Sequence, residues 1–324
     1  MGLHQKYLSF RTDMADERVD TYKRVHNLSE IDGVEVVSKT GEGVITTTVN
    51  VLNENGAKAV SKEVGKYVTM EVPDMEYLQD EKKEAIASAL AQEIKEMIGE
   101  DKGKSILVVG LGNVYVTPDA LGPKVVQSIE VTRHLLNFAK DLVDPGTRPI
   151  SAIAPGVLGT TGIETSEIVT SVVQKVQADA VIVIDSLASG SVHRIGKTIQ
   201  ISNTGITPGA GVRNKREGIN QNTLGVPVIA IGVPTVVDMA TITNEAIDKM
   251  LDNVKHEIEQ YPDQEYSVSS VTKVFDNLEK DTRYDMIANV LDTENYIVTP
   301  KEIDNVIETV SSIISDGMNV ALQA

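Results

Sequence analysis

Residues 105–123 read SILVVGLGNVYVTPDALGP, and the interpretation of the whole chain starts from this stretch. It opens with an unbroken apolar run, passes through Gly110 and Gly112, and ends in a turn that carries a single acid, Asp119. Continuous apolar runs of this length are typical of strands that are covered on both faces. The stretch therefore predicts a buried strand followed by a loop, which either holds a nucleotide phosphate or presents Asp119 for chemistry.

Further runs of the same kind follow at intervals along the chain. They are ISAIAP at 150–155, AVIVID at 180–185, TIQIS at 198–202 and VPVIAIG at 226–232. Segments with helical spacing of apolar residues lie between or after them, at 125–138, 164–176 and 244–261. This alternation predicts an α/β fold, with a mostly parallel sheet flanked by helices. Thr299-Pro300-Lys301-Glu302 combines a cap, a proline and a glutamate, which predicts that a final helix starts there.

The residues before this core have a different pattern. The first thirty are polar and mixed in charge, which predicts an arm, and GVEVVSK and GVITTTVNVL at 33–52 predict a β-hairpin. A short helix at 57–64, a strand at 65–73 and a surface helix at 81–98 are expected next. We therefore expect one domain, in which a β-rich region at 14–103 precedes an α/β core at 104–324.

Composition excludes several classes of partner and chemistry. The 324 residues carry a net charge of −17, which disfavours broad electrostatic attraction to nucleic acid or to an anionic membrane surface. The chain has no cysteine, so disulfides, thiolate metal sites and a cysteine nucleophile are excluded, and a reducing cytoplasm is compatible with this composition. No apolar run approaches the roughly 18 residues that a membrane helix needs.

Other motifs of catalysis or binding are missing. The dinucleotide fingerprint needs a third glycine where Tyr115 stands, and there is no P-loop and no G-x-S-x-G elbow. The histidines form no H-E-x-x-H pair. They are His4, His26, His134, His193 and His256. His193 lies eight residues after Asp185 and could enter the same crevice, but the sequence favours a structural role.

Carboxylates are the remaining candidates. Asp119 lies in a loop after one strand, and Asp185 ends the β-branched run AVIVID, which should be buried. Burial and a second acid nearby both raise a carboxyl pKa, so two such acids can share a proton and act as acid and base. Turn or capping roles for Asp119, and bonding of Asp185 to backbone amides, remain open. Asn113 and Asp238 are possible supporting residues, because each lies in a loop that follows a strand.

At this point the chain resembles a known family, the germination proteases of spore-forming bacteria. The resemblance rests on long segments in order, running from about Phe10 to the C-terminus. They are VVGLGNVYVTPDALGPKVV, TRHLLNF, RPISAIAPGVLGTTGIETSEI, VIVIDSLAS, TIQISNTGITPGAGV and GVPVIAIGVPTVVDMATIT. It implies a homotetrameric endopeptidase of the spore core cytoplasm, made as a zymogen and active on small acid-soluble spore proteins. It also implies a fold like that of hydrogenase-maturation proteases.

The resemblance places the family's two proposed catalytic aspartates on Asp119, in TPDALG, and on Asp185, in VIDSLA. A metal-free acid pair that activates water is the mechanism we expect from it. One alternative is a metal-dependent peptidase, because the similar hydrogenase-maturation enzymes hold a metal with acids and a histidine. The other is a non-catalytic nucleotide-binding regulator that uses Gly110 and Gly112.

The N-terminal residues resemble the family's cleavage sequence, which is Thr-Glu, a large apolar residue, then Ala-Ser-Glu, cut after the first glutamate. Here residues 12–17 read TDMADE. The resemblance implies self-cleavage between Asp13 and Met14, so that residues 1–13 form a propeptide and 14–324 the peptidase. A helix start capped by Thr12 or Asp13 is the competing interpretation, and both can hold in the precursor.

Overall fold

The computed structural model describes residues 12–323 apart from 42, 74, 76–77, 100, 209–216, 261–279 and 292–295. These residues build a nine-stranded sheet with helices packed on it. Within the described part of the chain, no helix has both the length and the apolar composition that a membrane crossing requires.

The strands form one mixed sheet. In chain order they are β1 (Val34–Gly41), β2 (Val44–Val51), β3 (Gly65–Glu71), β4 (Ile106–Gly110), β5 (Ile150–Ile153), β6 (Ala180–Ala188), β7 (Thr198–Ser202), β8 (Val228–Asp238) and β9 (Ile297–Val298). Across the sheet the order is β1-β2-β3-β7-β8-β6-β4-β5, with β9 beside β8. The pairs β5/β4, β4/β6 and β6/β8 are parallel, and the other pairs are antiparallel. The predicted α/β fold and the predicted β1–β2 hairpin are confirmed. The parallel strands β5, β4, β6 and β8 lie next to one another in the sheet.

Helices cover the sheet and its edges. They are α1 (Ala15–His26), α2 (Glu54–Val60), α3 (Asp80–Ile98), α4 (Leu121–Gln127), α5 (Arg133–Phe138), α6 (Leu158–Thr161), α7 (Thr165–Val176), α8 (Gln221–Leu224), α9 (Met239–Gln260), α10 (Lys280–Leu291) and α11 (Ile303–Gln323). The helices predicted at 81–98, 164–176 and 244–261 correspond to α3, α7 and α9.

Strand β6 shows why the core runs are continuously apolar. Ile182 and Ile184 face a cluster built with α3 and α11, whereas Val181 and Val183 face a second cluster built with α7. All four side chains are fully buried. Because successive side chains of a strand point to opposite faces, a strand with a core on each side needs an apolar residue at every position.

The single helix predicted at 125–138 is wrong. The structure has two short helices there, α4 and α5, separated by residues 128–132. Backbone groups between them bond to distant partners: the N–H of Glu130 donates to Asn319 Oδ1, and that of Thr132 donates to the carbonyl of Ile150. These tertiary hydrogen bonds replace the i to i−4 bonds that would continue the helix.

The arm predicted for the first thirty residues is also wrong where the structure describes them, because residues 15–26 form helix α1. Met14 and Ala15 are fully buried, and Asp16 and Glu17 are buried too. The sequence pattern missed this segment since much of what it buries is polar, and polar burial depends on partners elsewhere in the chain. Residues 1–11 lie outside the described residues.

Two predicted helix starts are displaced. Helix α2 begins at Glu54 rather than at 57, because the Asn53 side chain accepts hydrogen bonds from the N–H groups of Asn55 and Gly56. The final helix begins at Ile303 rather than directly after Thr299. The Thr299 hydroxyl donates instead to the carbonyl of Thr235, so the expected cap is used to hold the end of β9 against β8.

Candidate active site

A pocket of about 470 Å³ opens at the carboxyl ends of β4, β6 and β8. Three acids line it: Asp13 from the N-terminal segment, Asp119 from the loop after β4, and Asp185 from the end part of β6. The rest of the lining is largely apolar or neutral, and includes Val116, Pro118, Val157, Leu187, Ile206 and Val236. Ligand sites are expected at this edge of an α/β sheet, where loops from neighbouring parallel strands converge.

The glycines of the loop after β4 serve backbone packing. A side chain at Gly110 would put its Cβ 2.1 Å from the carbonyl oxygen of Gly122, and one at Gly112 would put it 2.0 Å from that of Asp119. Gly112 also has a φ of +113°, which side chains rarely adopt. Close backbone approach within the fold is therefore enough to require both glycines, and no nucleotide phosphate is needed to explain them.

Replacing Gly112 by Ala should destabilise the protein by about 2–4 kcal/mol, because it combines a strained φ with a backbone clash. Equilibrium denaturation in urea measures this change. Gly159→Ala is the matched control, since nothing lies within 4 Å of the place that its added methyl group would take, and its effect should stay within about 0.5 kcal/mol. Equal stability of the two variants would contradict the packing role.

Asp119 ends a 3₁₀ turn, Thr117–Asp119, which follows the loop. The backbone N–H of Asn113 donates to Oδ2 of Asp119 at 2.8 Å and to the carbonyl oxygen of Asp119 at 3.0 Å. The side chain is half-buried. The loop thus folds back on itself and fixes the Asp119 carboxylate at the pocket, in contact with solvent.

Asp185 is more deeply placed, with 7% of its surface exposed. Burial raises its pKa well above the ordinary aspartate value, the charges of Asp119 and then Asp13 raise it further, and a hydrogen bond from the N–H of Ser186 opposes them. The Ser186 bond to Oδ1 is 2.9 Å long. The loop after β4 and the end part of β6, which are distant in sequence, therefore bring Asp119 and Asp185 close enough to interact electrostatically.

Of the three possible supporting residues, Asn113 contacts Asp119, whereas His193 and Asp238 lie outside the pocket. Asn113 contacts Asp119 through its backbone, and its side-chain oxygen accepts from the N–H of Tyr115. His193 is exposed, with Nε2 2.9 Å from Nζ of Lys249, and it does not line the pocket. Asp238 does not line it either, and the prediction that it lies in a loop is wrong, because β8 continues to Asp238. Its carboxylate accepts hydrogen bonds from the N–H and hydroxyl of Thr241 at 3.1 and 2.6 Å. That arrangement caps the start of α9.

The donor set does not fit a resident metal ion. Among the residues that the structure describes, no three His, Cys, Asp or Glu side chains are grouped so that they could hold one, and this includes the acids of the pocket. His193, which the sequence allowed to enter the crevice, lies beside Lys249 and does not line the pocket.

The N-terminal segment reaches this pocket at Asp13. Asp13 exchanges hydrogen bonds with Ala188 at the end of β6: its N–H donates to the carbonyl at 2.9 Å, and its Oδ2 accepts from the N–H at 2.9 Å. The carbonyl oxygen of Asp13 accepts from Lys62 Nζ at 2.6 Å and from Gln200 Nε2 at 3.2 Å. Gln200 Oε1 in turn accepts from the N–H of Ala15 at 2.7 Å. The chain from 13 to 15 is therefore held on both sides of Met14.

The acids after Met14 are bound separately. Glu17 accepts from Ser189 Oγ at 2.9 Å and from the N–H of Gly190 at 2.8 Å, and the Thr12 hydroxyl also donates to it. Arg194 lies 2.7 Å from a carboxylate oxygen of Asp16 and 3.7 Å from one of Glu17. Neither Thr12 nor Asp13 caps α1 through its side chain, and Met14 occupies the cap position.

Four of these contact residues escaped the sequence analysis: Lys62, Gln200, Ser189 and Arg194. Gln200 had a weak signal, since it is the polar residue inside the apolar run TIQIS. Lys62, Ser189 and Arg194 have none, because a lysine after a short helix, and a serine and an arginine in a loop, are ordinary residues by pattern.

Comparison with solved structures finds a hydrogenase maturation protease, HycI from Thermococcus kodakarensis, at 21% sequence identity. The match covers 41% of this chain and 74% of that chain with a TM-score of 0.27, which is too low to assign a fold. The α/β class rests on the strand order above.

Comparison with characterised sequences is much stronger. A germination protease from Clostridium perfringens (strain SM101 / Type A) is 48% identical over 316 residues, which is 97% of this chain and 95% of the relative. One from Caldanaerobacter subterraneus subsp. tengcongensis is 46% identical, covering 98% and 95%. The family model described as germination protease matches residues 11–289. With the fold, the acidic pocket and these matches together, the chain belongs to the germination protease family.

Proposed function

We propose that this protease is an endopeptidase precursor that cuts its own Asp13–Met14 bond, with Asp119 and Asp185 activating water. One observation carries the proposal: Asp13, Asp119 and Asp185, from three separate parts of the chain, line the same pocket. The residue whose bond is to be cut thus lies beside the two acids that the family resemblance identifies. Holding the reacting groups together in this way lowers the entropic cost of the reaction.

The surroundings of the two acids support a division of roles. Asp185 is buried and its pKa is raised, first by burial and then by Asp119, so it is the member that keeps a proton. Asp119 is half-buried and accepts a backbone N–H, which stabilises its charged form. We assign Asp119 as the general base and Asp185 as the general acid.

Hydrolysis then proceeds in two balanced steps. Asp119 takes a proton from a water molecule while the water oxygen bonds to the carbonyl carbon of Asp13. This addition leaves a negative charge on the carbonyl oxygen. That intermediate collapses, the C–N bond to Met14 breaks, and Asp185 gives its proton to the departing nitrogen. Residues 1–13 leave with a new C-terminal acid, and residues 14–324 form the mature peptidase.

The bound segment also supports the sequence preference. Met14 and Ala15 have no exposed surface, so the positions after the cut accept one large apolar residue and then one small one. Glu17, four residues after the cut, is held by Ser189, Gly190 and Arg194. Small acid-soluble spore proteins, which the resemblance implies as substrates, carry a similar acid, apolar, alanine and acid pattern.

The setting that we propose follows the family. The enzyme acts on proteins in the spore core cytoplasm as a homotetramer when germination begins. A net charge of −17 supports the view that neither nucleic acid nor an anionic membrane is a direct partner.

Self-processing is tested on the purified full chain. Mild acidification should release residues 1–13, which intact-mass spectrometry detects as a product that starts at Met14. The mature product should cut a peptide with the acid-apolar-alanine-acid pattern, and dialysis against EDTA should leave both rates unchanged. Cleavage at any other bond, or no cleavage under any of these conditions, would contradict the proposal.

The raised pKa of Asp185 also predicts a pH-dependent stability. The unfolded chain loses this proton near pH 4, whereas the folded chain keeps it to higher pH, so the free energy of unfolding falls as pH rises between the two pKa values. Asp185→Asn has no titrating carboxyl, so it does not show this fall in the free energy of unfolding. Both arms carry Asp119→Asn so that neither is cut on acidification, and burial, the largest cause of the raised Asp185 pKa, remains in that background. Asp119→Asn/Asp185→Asn should therefore melt at a higher temperature than Asp119→Asn at pH 8, and the difference should shrink towards pH 3. A variant that is less stable at pH 8 would contradict the burial of a proton-binding acid.

A further inference from the structure

The carbonyl oxygen of Asp13 has two hydrogen-bond donors that the acid pair does not supply. Lys62 Nζ lies 2.6 Å from it and Gln200 Nε2 lies 3.2 Å from it. In the proposed function, on which this inference rests, that oxygen becomes negatively charged when water adds to the neighbouring carbon. Donors at such distances from a developing oxyanion can stabilise the transition state more than the ground state.

Both donors are fixed by elements of the fold. Lys62 follows helix α2, where Ser61 adopts a left-handed φ of 53° and the N–H of Lys62 bonds to the carbonyl of Ala57. Gln200 is buried in β7, in register with Gly232 of β8. Its amide is further oriented by the 2.7 Å bond that its Oε1 accepts from the N–H of Ala15. Preorganised donors of this kind do not have to reorient during the reaction.

We propose that Lys62 and Gln200 are catalytic residues that form the oxyanion-binding site for the peptide carbonyl before the cut. Water adds to the Asp13 carbon, the electron pair of the C=O bond moves to the oxygen, and the two N–H donors stabilise it there. When the carbonyl reforms and the C–N bond breaks, the donors are unchanged. The same pair would receive the carbonyl of an acidic residue in a protein substrate.

The charge state of Lys62 suits this role. Burial of its ammonium group lowers its pKa to about 8, while the carboxylates of Asp13, Asp16 and Glu17 oppose that shift and Arg18 adds to it. The ammonium also lies 5.8 Å from the centre of the Tyr67 ring. Lys62 therefore remains charged at neutral pH, yet it is a stronger hydrogen-bond donor than a lysine in water.

The experiment separates catalysis from simple anchoring of the segment. Lys62→Met and Gln200→Leu are made in the full chain, and the first-order rate of release of residues 1–13 is followed by mass spectrometry. The same two changes are then made on top of Asp119→Asn, which should stay uncut, and hydrogen exchange is measured at the amides of residues 12–26. Lys58→Met is the matched control, because Lys58 is exposed on α2.

We expect about a 100-fold slower release for Lys62→Met and about tenfold for Gln200→Leu, with exchange protection of 12–26 retained at least in the lysine variant. Lys58→Met should react at the wild-type rate. A wild-type rate for Lys62→Met would overturn the inference, and so would a slow rate accompanied by lost protection, since Lys62 would then be an anchor. If the inference about Lys62 and Gln200 fails in either of these two ways but Asp119→Asn is inactive, the proposed function still stands. If the wild type does not release residues 1–13, both the proposed function and this inference are contradicted.

Discussion

Asp119→Asn and Asp185→Asn should each lower the rate of self-cleavage on the order of 1000-fold. An amide cannot accept the proton of the attacking water or give a proton to the departing nitrogen, and general acid and base catalysis contribute about 10²–10⁴ each. The rate is measured as the first-order loss of residues 1–13 by mass spectrometry. The double variant should be little slower than either single variant, because the two acids act as one unit.

Two controls make this result interpretable. Asp141→Asn replaces an exposed acid that does not line the pocket, and it should process at the wild-type rate. Asp238→Asn replaces a buried acid that caps α9, so it should lower stability while leaving processing detectable. Wild-type turnover in both Asp119→Asn and Asp185→Asn would show that the acid pair has been assigned to the wrong reaction.

Arg194→Met should slow self-cleavage by tenfold or more, although Arg194 does not touch the bond to be cut. Its guanidinium pairs with Asp16 and lies near Glu17, and both acids are buried. Removing one partner of a buried ion pair leaves uncompensated charge and typically costs about 3–5 kcal/mol. The start of α1 should therefore detach from the loop at 189–194, and the Asp13–Met14 bond should spend less time at the acids.

Hydrogen exchange at the amides of residues 12–26 tests that reason directly. Protection should fall in Arg194→Met and should remain in Arg24→Met, which removes an exposed charge from the same helix. The cleavage rate is expected to fall in both Arg194→Met and Lys62→Met, but exchange protection should be lost only in Arg194→Met. Normal processing by Arg194→Met would show that the downstream acids do not position the bond.

The pH of activation follows from the same groups. Burial raises the pKa of Asp185, and burial also raises that of Glu17 against the opposing effects of Thr12 and Arg194. Lowering the pH therefore fills the proton site on Asp185, which the general acid needs. It also begins to protonate Glu17, which loosens its contact with Arg194, so we expect the processing rate to rise and then fall as pH decreases.

Strand positions were readable from the sequence, because a strand with a core on both faces needs apolar residues throughout. The runs at 105–110 and 180–185 became β4 and β6, and the acids that follow or end them, Asp119 and Asp185, meet at one edge of the sheet as expected. The helix between 125 and 138 could not be read in this way. Its interruption depends on hydrogen bonds to Asn319 and Ile150, which lie far away in the chain.

The N-terminal segment marks the limit of the sequence analysis. Similarity to a cleavage sequence identified Asp13 and Met14, but pattern alone made residues 12–26 part of a polar arm. Their burial depends on Gln200, Ser189 and Arg194, none of which is near them in sequence. Polar groups are buried only when partners satisfy them, and those partners are known only once the strands have been assembled.

By itself, then, the sequence determined the apolar strands of the core, the two acids at their ends and the resemblance to a protease family, since all of these are local patterns. Only the tertiary structure decided that a third acid joins them, that His193 and Asp238 lie elsewhere, and that Lys62 and Gln200 hold the carbonyl of Asp13. The physical reason is that hydrogen-bond distances and carboxyl pKa values depend on which groups are neighbours in space, and periodicity along a chain carries no information about that.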